Sequence, residues 1–180
     1  MKLLEMKKKV LSLIEEIDDT QESLTNDPDI EAKLPYVINQ IIFELARLKK
    51  IPEYVEEEVT ENTVFDLKDL DNFYQLLTIK GIDYEVVADT LIRFLETGTA
   101  QISYYRNPNR IDEKTLDTYE FELSDDVLEI APYGIAGDLL KSDVSTSYGV
   151  IYSNRYKELI QALDPRYQLG VVEIVDSIDL

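Results

Sequence analysis

Thr90-Leu91-Ile92-Arg93-Phe94-Leu95-Glu96-Thr97-Gly98-Thr99-Ala100-Gln101-Ile102-Ser103-Tyr104-Tyr105 is the stretch that decides the fold class of this chain. Apolar residues alternate on both sides of a Glu-Thr-Gly turn. Ile92 and Phe94 share one face; Ala100, Ile102 and Tyr104 share another. A period of two flanking a glycine turn reads as an antiparallel hairpin. Upstream, Phe73–Ile79 and Tyr84–Val87 read as two further strands around Gly81, so the pattern from about Tyr54 to Arg106 predicts a small antiparallel meander.

On either side of this block the period is helical. In residues 1–24, Leu3, Val10, Ile14, Ile17 and Leu24 recur at helical steps and predict an amphipathic helix. Asp27 is a candidate N-cap, with Pro28 at the first helical position. The helix that follows carries Leu34, Ile38, Ile41, Ile42, Leu45 and Leu48 and ends near Lys49-Lys50, over about 34–49; Pro35 either kinks it or opens its main segment. Ser124-Asp125-Asp126 opens a third helix to about residue 141, with a kink or restart at Pro132. Ser145 caps a fourth, to about Leu163, which Asp164-Pro165 stops. The expected fold is therefore α+β: a helical bundle of about four helices interrupted by a small antiparallel β insertion. Residues 1–180 read as a single domain, with helices in 1–50 and 124–164, the insertion at 54–110 and a C-terminal arm at 168–180.

Charge and missing residue types narrow the function. The chain has 37 acidic and 18 basic residues, a formal charge of −19, and neither histidine nor cysteine. Imidazole and thiolate chemistry are thus excluded, as are Cys/His zinc sites. The acidic excess opposes binding to a phosphate backbone. No apolar run approaches the ~20 residues of a membrane span, and the charged start Lys2, Glu5, Lys7, Lys8, Lys9 gives no export signal. The glycines are scattered rather than grouped in a phosphate loop. No catalytic residue, cofactor or metal is expected.

Two acidic stretches stand out. Glu53, Glu56, Glu57, Glu58 and Glu61 open the first, and Asp112 to Glu129 holds the second. Neither has recognisable metal-ligand spacing. The readings left open are a solvated face with capping residues, or an acidic surface that repels nucleic acid or meets a basic partner. Tyr104-Tyr105-Arg106-Asn107-Pro108-Asn109-Arg110 superficially suits single-stranded nucleic acid. At this net charge it reads better as a strand end and proline turn, with Arg106 and Arg110 paired to local acids. Twelve tyrosines against no tryptophan suit half-buried strand positions or an interface.

The order of Ile102-Ser103-Tyr104-Tyr105-Arg106-Asn107-Pro108, Tyr119-Glu120-Phe121-Glu122-Leu123, Ile130-Ala131-Pro132-Tyr133-Gly134-Ile135-Ala136-Gly137-Asp138-Leu139-Leu140-Lys141-Ser142-Asp143 and a Tyr-rich helix resembles head–tail connector proteins, the neck adaptors of tailed bacteriophages. The likeness follows the element order over about residues 28–165 and is specific in wording from Tyr104 to Asp143. It implies a non-enzymatic structural protein of the virion neck, made in the bacterial host cytoplasm during assembly. It also implies self-association into a ring, the portal protein as one partner and another neck or tail protein as the other, and DNA passing without specific binding. The expected interface includes Tyr104, Tyr105, Arg106, Val171, Val172 and Ile174. Two alternatives compete: an acidic inhibitor or decoy that binds a basic DNA-binding partner, and a divalent-metal hydrolase.

Overall fold

In the computed structural model, residues 1–17, 24–141 and 147–163 are described. Two helices, α1 (Leu3–Leu13) and α2 (Pro28–Leu48), precede six strands: β1 (Ile51–Val59), β2 (Val64–Asp66), β3 (Phe73–Lys80), β4 (Tyr84–Val86), β5 (Leu91–Phe94) and β6 (Gly98–Arg106). Three helical segments follow: α3 (Asp125–Leu128), α4 (Ala131–Leu139) and α5 (Tyr148–Leu163). The fold is α+β, as the change of apolar period implies.

The helix starting at Pro28 obeys its cap. The Asp27 carboxylate accepts from the backbone N–H of Asp29 at 2.8 Å and Ile30 at 3.3 Å, satisfying two amides with no intrahelical partner. The helix runs through Pro35, so its main segment does not begin there. Its buried stripe is Leu34, Ile38, Ile41, Ile42 and Leu45.

The first helix is shorter than its apolar stripe. Glu15 adopts φ 61°, its N–H bonding to Ser12 O and that of Glu16 to Leu11 O. This is the paired 5→2 and 6→1 closure that ends helices, here without the usual glycine. Ile17, expected on the stripe, is 37% exposed. The helix expected over 125–141 is likewise split. A single turn, α3, precedes α4, and Pro132 sits in the first turn of the second helix, where a missing N–H costs nothing. The Ser124 side chain makes no cap bond there.

The strands form two three-stranded antiparallel sheets rather than one meander, ordered β1-β6-β3 and β2-β5-β4. Their facing sides share one core, in which Ile92 and Phe94 of the smaller sheet meet Ala100, Ile102 and Tyr104 of the larger, closed by Leu67 and Leu70. Gly81, at φ 85°, turns the chain between β3 and β4 where a Cβ would sit 3.1 Å from Thr99 O. The helices bury a second core containing Leu3, Met6, Val10, Ile38, Leu45, Val127, Leu128 and Ile135. Within it α4 lies against α1, α2 and α5.

Close approach of α4 to α5 rests on small residues. A Cβ on Gly137 would meet Ser153 Oγ at 2.6 Å and its backbone N at 3.0 Å. One on Gly134 would meet the Tyr156 ring at 2.9 Å. No helix among the described residues is long and apolar enough to cross a membrane.

Candidate interaction surface

The segment Tyr104–Arg110, expected to be an interface, divides by strand period. Tyr104 points into the core between the sheets and is 2% exposed. Its ring lies 5.9 Å from that of Phe73, and its hydroxyl donates to Asp71 O. It therefore cannot be an exposed contact residue. Tyr105, one residue on, faces the opposite side of the sheet and is half-buried, with Lys50 Nζ 4.8 Å from its ring centroid. Tyr105 is the member of the pair left on the surface. Val171, Val172 and Ile174 lie outside the described residues, as do Ser145 and the arm at 168–180.

Arg106 is a structural junction. Its Nε donates to Glu53 on β1 at 3.0 Å, and one terminal nitrogen to Glu122 at 3.0 Å. Glu122 also accepts from Asn109 N and Asn109 Nδ2, and Asn72 Nδ2 reaches Asn109 Oδ1. Partial burial alone would lower the Arg106 pKa. The hydrogen bonds and charges of Glu122 and Glu53 outweigh it, and the net shift is upward. The network ties the end of β6 to the loop that leads into α3. Arg110, expected to pair with an acid, instead lies over the Phe43 ring at 4.9 Å.

The acidic stretch is not one patch. β1 alternates, so Tyr54, Glu56 and Glu58 face out beside Ser103, Gln101 and Thr99, while Glu53, Val55, Glu57 and Val59 share the face of Tyr104, Ile102 and Ala100. Glu56 accepts from the Tyr54 hydroxyl and from Gln101, and Glu58 from Thr99. The Glu56 contact pushes the Tyr54 pKa up. Glu61 lies beyond the strand, in the turn, accepting from Asn62. A row of glutamates on an unpaired edge strand deters another strand from pairing there.

Two clefts flank α2. One, about 540 Å³, is lined by Tyr36, Gln40, Phe43, Glu44, Arg47 and Arg110 among others. The other, about 340 Å³, lies between α2, α4 and α5 and shares Gln40 and Glu44 with the first. The buried Tyr156 hydroxyl lines the second near Glu44 but outside hydrogen-bonding geometry, its pKa pushed up by burial, by the neighbouring Glu44 carboxylate and by the Asp138 charge. Among the described residues no group of three acidic side chains is gathered to hold a metal. Charge and strand period point to the glutamate edge from sequence. The Arg-aromatic cleft does not show there, because α2 and Arg110 meet only through the tertiary fold.

No protein-family model matches the chain, and comparison with curated proteins gives no match.

Proposed function

We propose that the protein is a non-enzymatic head–tail connector of a tailed bacteriophage, forming a ring under the portal that extends the DNA channel. The observation that carries this reading is the order of parts. Helices precede and follow a strand block in an α+β chain, an order compatible with that of the neck adaptors the sequence resembles. The wording from Tyr104 to Asp143 that resembles neck adaptors covers the Arg106 junction and the buried helix α4. A ring component needs complementary surfaces and no general base. A formal charge of −19 gives a channel wall that repels phosphates. The neighbours in this reading are the portal above and another neck or tail protein below, and the place is the virion neck.

The test is electron microscopy of the purified protein mixed with the portal protein of the phage or prophage whose genome encodes this chain. A ring of this protein coaxial with the portal is expected. Portal particles that stay bare at saturating protein would overturn the proposal.

A further inference from the structure

The cleft along α2 is unusual for so acidic a molecule. Arg47 and Arg110 line it, and among the described residues neither has a carboxylate within ion-pair distance. By contrast Lys7, Lys9, Arg93, Arg106 and Arg155 all do. The one carboxylate lining it, Glu44, is shared with the neighbouring cleft, where it raises the Tyr156 pKa, and it makes no ion pair with either arginine among the described residues. Phe43, under Arg110, and Tyr36, 71% exposed, line the same cleft. Exposed tyrosine and unpaired arginine around an aromatic floor is the composition of an interface centre.

A matching element needs apolar side chains flanked by uncommitted carboxylates. Leu116 and Val86 are the two most exposed aliphatic side chains among the described residues, and each stands among acids in its segment of the sequence. In one, Leu116 is 74% exposed, but Asp117 is taken by Lys7 and Asp112 by Thr115 and the Lys114 N–H, which leaves Glu113 as the one uncommitted carboxylate of 112–117. In the other, Val86 and Val87 are 66% and 46% exposed at the end of β4, and Asp83 and Asp89 flank them without a salt bridge among the described residues. Glu85 alone there is paired, to Arg93.

We propose that the cleft of Tyr36, Phe43, Arg47 and Arg110 receives the Val86–Val87 tip of a second copy of this chain. The valines would cover the aromatic floor, and Asp83 and Asp89 would meet the two guanidiniums. The cleft belongs to the helical part and the tip to the strand part. Where two copies do not reciprocate it, the contact is heterologous and repeats head to tail, closing a ring of three or more if the rotation allows. This rests on the self-assembly reading above and names its surfaces.

Because the chain has no cysteine, disulfide trapping is clean. Tyr36→Cys protein is mixed with Val87→Cys protein and oxidised, with Leu116→Cys and Val150→Cys as alternative partners. Selective trapping with Val87→Cys is expected. Adding R47E and R110E to the Tyr36→Cys chain should lower the yield about tenfold. Adding D83K and D89K to its partner should restore it. Equal yields with the three partners, preferential trapping with Leu116→Cys, or indifference to the charge reversals would overturn the contact. A chain carrying both Tyr36→Cys and Val87→Cys separates the two ideas. A ladder ending in one closed species supports both. A ladder that never closes keeps the contact and breaks the ring reading. Portal-bound rings that give no ladder break the contact alone.

Discussion

The two hydrophobic cores of this protein are built by opposite means. The strand core is filled by large side chains: Phe94 and Tyr104 sit between two small sheets and are 0% and 2% exposed. The helical core is closed by small ones. In α4, Ala131, Gly134, Ala136 and Gly137 are buried, and α5 approaches to where a single Cβ would collide. Sheets stand well apart and need bulk between them. Helices approach closely only where side chains are small, and close-packed interiors resist added volume. The same chain should thus be sensitive to truncation in one half and to enlargement in the other.

The largest expected effect is in the strand half. Phe94→Ala should cost about 3–5 kcal/mol in urea denaturation. A loss below about 1 kcal/mol would mean that the sheets do not pack face to face through this ring. Its counterpart is Gly137→Ala, where one added methyl meets Ser153. It should cost about 1–3 kcal/mol, although alanine is the better helix former. If the variant is instead stabilised, α4 and α5 are not in close contact.

The junction should rank next. Arg106→Ala leaves Glu122 with 18% side-chain exposure and no guanidinium partner, a loss of about 1.5–3 kcal/mol. Arg106→Lys should recover only part of it, since one ammonium cannot span Glu53 and Glu122 in the same fork. Full recovery by lysine would show that charge alone suffices there.

The smallest effect sharpens the helical side. Tyr156→Phe removes a buried hydroxyl that has no hydrogen-bond partner. At neutral pH the change should be within about 1 kcal/mol and toward higher stability. The raised pKa of Tyr156 sets the sign at alkaline pH. Its contribution is complete below the ordinary tyrosine value of about 10 and declines above it, where only the unfolded chain ionises. The wild type should therefore lose stability above about pH 10 faster than Tyr156→Phe, and parallel curves would refute the role of this hydroxyl.

What the sequence made legible follows the same division. The two faces of β5 and β6 are readable because the alternation is local, but the expected hairpin does not form: β5 pairs with β2 and β4, β6 with β1 and β3, so the strands joined by Glu96-Thr97-Gly98 lie in different sheets. That reading already placed Tyr104 with Ala100 and Ile102, which is why it is core and Tyr105 is not. The Asp27 cap was readable for the same local reason. Strand order was not, because β1 and β3 both pair with β6 across long separations. The end of α1 was hidden because a glutamate takes the left-handed position usually held by glycine. The run from Glu53 to Glu58 divides between two faces because β1 alternates, a division that a strand reading of those residues would give. Arg110 could not be assigned to Phe43 without the tertiary fold.

The central proposal is self-assembly as an adaptor ring. Sedimentation velocity over a concentration and salt series tests it most directly. Like-charged protomers at −19 repel, and salt screens that repulsion. The expected result is monomer in dilute, low-salt solution and a single closed species as protein and salt rise together. A monomer at every concentration and salt, or an open-ended spread of oligomers, would contradict it.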